Sequence, residues 1–302
     1  MSLLSRLILR VTGWGWVRSI FTRRFGRRVA MRFVAGETLD DAVAATRALN
    51  AQGFTVSLDH LGEHVTTTDE AIGARDDYLA CIEAIRAEHL DANVSVKLSQ
   101  LGMGLDDDLA AASLEALAVA AAGAGTTVTV DMEESAVTGL TIDLYERVQR
   151  RYRNLGLALQ AYLRRTPADL ERVMALGGHI RLCKGAYDEP GDVALESKAE
   201  VNEAFDRLAA VLMANQDVKP AIASHDEERI DRVAGTASAR RGPFEFQMLY
   251  GVRGKFQAEL VAAGHPLRVY VPYGDSWYPY LTRRIAERPS NVWFFARALL
   301  GR

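Results

Sequence analysis

Short runs of apolar and β-branched residues alternate with longer amphipathic segments along the chain from residue 38 onward. Within the short runs the apolar residues are nearly continuous, which is typical of strands buried on both faces of a parallel sheet. Within the longer segments apolar residues recur every three or four positions, which predicts helices with one apolar face. The pattern predicts eight strands, within residues 54–63, 93–102, 126–135, 155–163, 178–187, 219–228, 243–251 and 267–274.

Predicted helices lie before and between these strands. They cover residues 38–53, 75–89, 107–122, 140–152, 167–176, 194–214, 227–239 and 251–263. Eight strand and helix units predict an α/β protein with a distorted (β/α)8 barrel of the TIM type. A doubly wound open sheet is the alternative. It is disfavoured because no strand runs into a GxGxxG turn, and the segments GWGWVR and GMGLDD both lack the third glycine.

Charge divides the chain into two predicted parts. Residues 1–32, a predicted helical arm, contain eight arginines and no acidic residue, although the whole chain of 302 residues has a net charge of -3. The predicted barrel domain, residues 33–302, is therefore acidic. An acidic body argues against nucleic acid as a partner.

The basic arm is amphipathic, but it has no apolar run long enough to span a bilayer. It also lacks the pattern of a signal peptide, because Arg10 interrupts its apolar segment. It either lies on an anionic membrane surface or packs as a helix on the barrel. Cys81 and Cys183 fit neither a CxxC motif nor the spacing of a zinc site, so we expect no disulfide and no metal. Such cysteine usage indicates a reducing compartment, so we expect a cytoplasmic location. Peripheral attachment to the inner face of the cell membrane is left open.

Polar residues occur where each predicted strand ends. Because active sites of such barrels lie at the carboxyl ends of the strands, these side chains are candidates for chemistry. They are Asp59, Glu63, Lys97, Asp131, Glu133, Gln160, Arg181, Lys184, His225, Asp226, Gln247 and Tyr270.

A second polar cluster follows the last strand. Tyr280, Arg283, Arg284 and Glu287 have the spacing i, i+3, i+4, i+7, which places them on one face of a helix. Two adjacent guanidinium groups suit a carboxylate or phosphate ligand. The alternative is a solvated helix with an ion pair between Arg283 and Glu287. The residues alone thus indicate a barrel enzyme with an anion site.

Several segments extend this interpretation: SLDHLGE, SVKLSQLG, VDMEES, LQAYL, RLCKGAY, ASHD, FEFQMLYG and VYVPYG, followed by WYPYLTRRIAERPSNV. With these segments, residues 32–296 resemble the monofunctional bacterial proline dehydrogenase family. The resemblance implies noncovalent FAD and oxidation of L-proline to Δ1-pyrroline-5-carboxylate, by hydride transfer from proline C5 to flavin N5. It also implies electron transfer to a membrane quinone. We expect a separate pyrroline-5-carboxylate dehydrogenase, because the sequence shows no second catalytic domain.

The resemblance also implies roles for individual residues. Arg283, Arg284 and Lys97 would bind the proline carboxylate, and Glu63 would pair with Arg283 over the substrate. Asp131 would orient its neighbours. The residues expected to shape the pocket around the proline ring are Tyr270, Tyr280 and Leu182.

A further set of residues matches the flavin site of the family. They are Gln160, Arg181, Lys184, Gly185, Ala186, Tyr187, Ser197, Lys198, Ser224, His225, Asp226 and Glu287. Cys183, Asp188, Ser197 and Ser224 depart from the commoner residues of the family. Ser197 and Ser224 keep a hydroxyl group, so their contacts are expected to survive.

Two other functions are compatible with the residues. One is a Schiff-base aldolase that uses Lys97 or Lys184. The other is a membrane-peripheral binding protein without catalytic activity. The sequence leaves open the oligomeric state, the identity of the quinone and the role of Cys183.

Overall fold

Eight parallel strands close into a barrel in the computed structural model, which describes residues 31–62, 65–278 and 280. Each strand pairs with the next along the chain, and the last pairs with the first. The strands are β1 Thr55–His60, β2 Ala92–Val96, β3 Val128–Val130, β4 Leu155–Gln160, β5 Gly178–Cys183, β6 Val218–Ala223, β7 Glu245–Leu249 and β8 Leu267–Tyr273. The predicted (β/α)8 barrel is therefore confirmed, and the doubly wound alternative is wrong.

Within the part of the chain that the structure describes, one helix precedes β1, and another follows each of β1 to β7 in turn. They are α1 Leu39–Asn50, α2 Thr68–Ala87, α3 Asp107–Gly123, α4 Thr138–Tyr152, α5 Thr166–Met174, α6 Lys198–Ala214, α7 Glu227–Ala234 and α8 Gly254–Ala262. After β8, Trp277, Tyr278 and Tyr280 are again helical.

Two helices begin at residues other than those predicted, because capping side chains define their starts. We predicted that α2 begins at residue 75, but it begins at Thr68, because Thr67 and Glu70 form a capping box. We predicted that α6 begins at residue 194, but it begins at Lys198, where Ser197 is the N-cap. The first turn of α2 is polar, so apolar periodicity places its start too late, whereas the apolar residues Ala194 and Leu195 before the cap of α6 place that start too early.

The predicted helix over residues 227–239 is also too long. The α-helix ends at Ala234, and Ala237–Ala239 forms a separate 3-10 turn. Gly235 follows the last helical residue, and glycine ends helices readily because its backbone loses more freedom in a helix.

The main core lies between the strands and the surrounding helices. It contains the outward-facing strand residue Phe246 and the helical residues Tyr78, Tyr145 and Phe205, and all four are fully buried. Burial of each large apolar side chain stabilises the fold by about 1.5–3 kcal/mol.

The inner face of the barrel is largely polar, and small residues on β4 make room for long ones on β5. Gly156 pairs with His179 and Ala158 with Arg181. A Cβ atom at Gly156 would lie 2.0 Å from Nε2 of His179, so a larger residue would displace the imidazole. The small residues on β4 thus allow basic side chains to reach across the barrel interior.

The arm was predicted over residues 1–32, most of which lie outside the described residues, so the predictions about it remain predictions. Among the residues that the structure describes, no helix is both long enough and apolar enough to traverse a bilayer.

Candidate active site

Asp131 is the centre of a buried cluster at the carboxyl end of β3. Its carboxylate accepts a hydrogen bond from the Tyr270 hydroxyl at 2.6 Å and from the Ser95 hydroxyl at 2.9 Å. It also forms an ion pair with Nη1 of Arg181. Because the partners belong to β2, β5 and β8, residues distant in sequence converge on one carboxylate. Sequence reasoning predicted Asp131, Arg181 and Tyr270 but missed Ser95, which strand alternation from Lys97 could have placed on the inner face.

Tyr270 is held as a neutral hydrogen-bond donor. Burial, followed by the nearby negative charge of Asp131, raises the pKa of the Tyr270 phenol well above its ordinary value. The Arg181 guanidinium lies over the phenol ring, 5.2 Å from its centroid. The ring is therefore fixed at its hydroxyl and at one face.

Lys97 supplies a second buried cation. Lys97 follows β2, and its Nζ atom is 3.1 Å from Oδ1 of Asp59. Asp59 lies near the carboxyl end of β1, at the same end of the barrel. Lys97 is 7% exposed and Asp59 is 1% exposed. The Asp59 carboxylate thus provides the partner that a buried ammonium group needs.

Arg181 has one donor available for a ligand. Nε donates to Oε1 of Gln247 at 2.6 Å, and Nη1 contacts both Asp131 and Ser95. Nη2 is buried and has no hydrogen-bond partner among the described residues. Because a buried guanidinium donor without a partner is costly, this atom suits an acceptor group of a bound molecule.

Lys184 lies just beyond β5 with two oxygen partners. Its Nζ atom is 2.5 Å from Oδ1 of Asn202 and 2.7 Å from Oδ2 of Asp226. Burial alone would raise the pKa of Asp226, but the hydrogen bond and charge of Lys184 outweigh it and lower that pKa. Lys184 and Asp226 were predicted as flavin residues from different strand ends, and the structure brings them together.

Gly185 allows the chain after β5 to pass close to an aromatic ring. Its φ is +115°, and a Cβ atom would lie 2.1 Å from Cδ1 of Tyr162. Ala186 and Tyr187 follow it and are partly buried. These three residues carry part of the predicted flavin site.

Gln160 and Glu133 connect β4 to the loop after β3. Nε2 of Gln160 donates to the Glu133 carbonyl at 2.9 Å. The Glu133 carboxylate accepts bonds from the backbone and side chain of Ser99, while burial raises its pKa. Gln160 is 2% exposed and already holds the loop, so its predicted contact with flavin remains a proposal.

Ser224, His225 and Asp226 form a short turn after β6. The Ser224 hydroxyl accepts from the Asp226 amide at 3.0 Å. Nε2 of His225 accepts from the Leu249 amide at 3.2 Å, which places the proton of the neutral imidazole on Nδ1. His225 thus presents a donor at its other nitrogen.

The Ser197 hydroxyl is engaged in helix capping. It donates to Oε2 of Glu200 at 2.6 Å and accepts from the Glu200 amide at 3.2 Å. Lys198 is the first residue of α6 and is exposed. A flavin contact by Ser197 would therefore compete with the cap.

Leu182 lies away from the barrel interior. It follows Arg181, whose side chain points inward, and is fully buried in the core between strands and helices. This location does not fit the predicted contact with the proline ring. Leu249, which shares an inner strand face with Gln247 and is partly exposed at the end of β7, is better placed. Counting two residues forward from Gln247 along the strand could have identified it.

Some residues predicted for the substrate and flavin sites lie outside the described part of the chain. Tyr280 is described, and it is 6% exposed. The residues that lie outside are Glu63, Arg283, Arg284 and Glu287.

The donors fit an anionic or acceptor-rich ligand better than a metal. Within residues 31–62, 65–278 and 280, no group of three or more His, Cys, Asp or Glu side chains could hold a metal ion. Lys97 and Lys184 each form an ion pair with a carboxylate, Lys97 with Asp59 and Lys184 with Asp226.

Comparison with known proteins gives a consistent match. The family described as Proline dehydrogenase matches residues 42–297. "Proline dehydrogenase 1" of Bacillus subtilis subsp. natto is 36% identical over 284 residues, 93% of this chain and 94% of that protein. "Proline dehydrogenase" of Deinococcus radiodurans is also 36% identical, over 90% of each chain.

Among solved structures, proline utilization A (PutA) from Bdellovibrio bacteriovorus, inactivated by N-propargylglycine, superposes with a TM-score of 0.79. It is 23% identical and covers 85% of this chain and 32% of its own. This likeness supports the barrel fold.

Proposed function

The chain belongs to the proline dehydrogenase family, so it is an enzyme of proline oxidation, and we propose that it carries out this oxidation on a noncovalently bound FAD. The proposed product is Δ1-pyrroline-5-carboxylate. Oxidation removes a hydride from C5 of proline and a proton from its nitrogen, and a C=N bond forms between these two atoms. When bound, FAD would supply the hydride acceptor at N5.

The cofactor fit is supported by the free donor of Arg181 and by the ends of β5 and β6. Nη2 of Arg181 is a buried donor with no partner among the described residues. Lys184 offers positive charge, and Gly185 lets the backbone approach a ligand closely. The remaining residues proposed to hold FAD are Gln160, Ala186, Tyr187, Ser197, Lys198, Ser224, His225, Asp226 and Glu287.

The substrate would be held by cations on one side and by the Asp131 cluster on the other. Lys97, Arg283 and Arg284 are proposed to bind its carboxylate. Glu63 is proposed to pair with Arg283, and Tyr270 and Tyr280 to bound the ring. Orientation of a bound reactant can contribute several kcal/mol to lowering a barrier. The neutral Tyr270 hydroxyl and its fixed acceptor Asp131 provide a rigid wall for such orientation.

The observation that carries this proposal is the convergence of Arg181, Tyr270 and Asp131 at the carboxyl ends of the strands in a chain of this family. The test is the visible spectrum of the purified protein. We expect a flavin spectrum that anaerobic L-proline bleaches and that D-proline bleaches far more slowly. A colourless protein that cannot be reconstituted with FAD would contradict the proposal.

We also propose that electrons pass to a membrane quinone and that the basic arm brings the enzyme to the membrane. Each basic residue near an anionic surface contributes about 1 kcal/mol to binding. The full chain should cosediment with anionic vesicles but less with zwitterionic ones, and a chain lacking residues 1–28 should lose this difference. Equal sedimentation of both chains would contradict the role of the arm. A separate pyrroline-5-carboxylate dehydrogenase would then use the product.

A further inference from the structure

A continuous set of polar contacts runs through the barrel interior beneath Arg181. Nε of Arg181 donates to Oε1 of Gln247 at 2.6 Å, and Nε2 of Gln247 donates to Oε1 of Glu245 at 2.7 Å. Glu245 in turn contacts Nε of Arg268 at 2.6 Å and Nζ of Lys219 at 2.7 Å. Gln247 therefore lies between the guanidinium of the candidate active site and an ion cluster at the other end of the barrel.

Small residues on β6 allow the contact between Arg181 and Gln247. In the strand register, Arg181 on β5 pairs with Ala221, and Gln247 on β7 pairs with Ala223. Methyl side chains at these two positions leave space for the guanidinium and the amide to meet across β6. The contact is thus built into the inner face of three successive strands.

Glu245 decides which end of the Gln247 amide faces Arg181. Burial alone would raise its pKa, but the charges of Arg268 and Lys219 outweigh burial and hold the pKa of Glu245 well below its ordinary value. An ionised carboxylate only accepts hydrogen bonds, so the amide nitrogen of Gln247 must face Glu245. The amide oxygen must then face Arg181, where it accepts the hydrogen bond from Nε.

We propose that Gln247 is a positioning residue that orients the Arg181 guanidinium and keeps Nη2 as its available donor for the flavin. Asp131 and Ser95 accept hydrogen bonds from Nη1 of the guanidinium, and Gln247 accepts one from Nε. Without Gln247 the guanidinium can rotate toward Asp131, and Nη2 loses its fixed direction. This role rests on the proposed function, because it requires FAD to bind beside Arg181.

The test compares two buried glutamines of the same strand and helix unit. Gln247→Met removes the acceptor for Arg181 and keeps a similar side-chain volume. Gln257→Met is the matched control, because Gln257 is also 4% exposed and donates to the backbone of Leu249 and Val252 without contacting Arg181. Both variants lose hydrogen bonds of a buried amide, so both should lower the unfolding temperature.

Only Gln247→Met should change the affinity for FAD and the midpoint potential of the flavin. We expect its FAD dissociation constant to rise about tenfold or more, the size of one hydrogen bond to a charged group. We also expect its flavin midpoint potential to become more negative, because a positive charge close to the flavin favours the reduced form. Gln257→Met should leave the affinity within about twofold and the potential unchanged. Equal effects of the two variants on affinity and potential would overturn the positioning role.

A double-mutant cycle separates positioning from general packing. Arg181→Lys keeps the charge beside Asp131 but has no Nε donor for Gln247. In that background Gln247→Met should change FAD affinity by less than about threefold, whereas additive losses would overturn the proposal. A wild-type protein that binds no FAD would overturn the proposed function together with this role. A wild-type protein that binds FAD, with Gln247→Met unaltered, would overturn the role alone.

Discussion

The carboxylate of Asp131 determines how several residues of the candidate site are arranged. It accepts from Tyr270 and Ser95 and pairs with Arg181, so its negative charge is compensated where water is largely absent. A buried carboxylate in this setting is tolerated only while its donors remain in place. Tyr270 and Arg181 are therefore held in position by Asp131 before any ligand arrives.

The Tyr270 hydroxyl offers a direct test at this scale. Tyr270→Phe removes one donor to Asp131, and we expect kcat/KM for L-proline to fall about five- to tenfold, as for one hydrogen bond. Removing the hydroxyl also enlarges the pocket, so discrimination against 4-hydroxyproline should relax. Steady-state kinetics with both substrates measure these effects. Unchanged discrimination would remove Tyr270 from the wall of the ring pocket.

The two adjacent arginines outside the described residues can be tested in the same way. Arg283→Met and Arg284→Met should each weaken L-proline binding about tenfold or more, because each removes a charge-assisted hydrogen bond. Arg232→Met is the control, since Arg232 is exposed and pairs with Glu228 on the surface of α7. Substrate titrations of flavin reduction measure the affinity. Wild-type affinity in both variants would exclude a carboxylate clamp.

At the scale of single elements, the first turn of α6 contributes both to the stability of the helix and to the position of the loop that carries part of the candidate site. The capping box of α6 uses Ser197 and Glu200 directly after the loop that contains Gly185, Ala186 and Tyr187. The cap fixes where this loop ends and the helix begins. The hydroxyl predicted to touch flavin is thus already engaged in helix formation.

Ser197 variants should reveal this structural role. Ser197→Ala removes the cap and should lower the free energy of unfolding by about 1 kcal/mol. Ser197→Asp should restore most of the loss, because aspartate is a good N-cap. Urea unfolding followed by circular dichroism measures both values. If Ser197→Ala matches the wild type in stability, the capping box contributes little in solution.

At the scale of the whole molecule, the barrel places its charged residues in two groups along its interior. Asp131, Arg181 and Lys97 lie toward the carboxyl ends of the strands, and Lys219, Glu245 and Arg268 lie toward the opposite end. His179 lies near the second group, with Nε2 2.6 Å from the Thr129 hydroxyl. A barrel with such an interior should have a stability that depends on pH.

His179 should account for part of that dependence. Burial, which opposes the charged form, lowers the pKa of His179 to about 3, whereas an unfolded histidine titrates near 6.5. Below pH 6.5 the unfolded state therefore binds the extra proton. The contribution of the neutral imidazole is complete above that pH and is lost as the pH falls toward the folded pKa, by about 1.4 kcal/mol for each pH unit.

Urea unfolding of the wild type and of His179→Gln between pH 7 and pH 4.5 measures this contribution. We expect the wild type to lose stability more steeply, by roughly 2–3 kcal/mol over the interval. His179→Gln retains a polar group near Thr129 but does not titrate. Parallel curves for the two proteins would show that His179 is protonated in the folded barrel.

Much of the architecture follows from the sequence, because strand and helix periodicities are local properties of the chain. Eight apolar runs and the helices between them were enough to predict the closed barrel, and the polar strand ends indicated the mouth where Asp131, Arg181 and Tyr270 meet. Apolar periodicity misplaced the helix starts at Thr68 and Lys198, because it does not register the polar N-cap residues that define where a helix begins.

Only the tertiary structure decided which polar residues share a partner. Strand alternation tells which side of a strand a residue faces, but not which side chains on the other strands meet it. The pairing of Arg181 with Gln247 across Ala221 and Ala223 depends on strand register and on side-chain volume together. The sequence by itself thus determined the barrel and the end at which its candidate chemistry lies, whereas long-range packing decided the contacts within it.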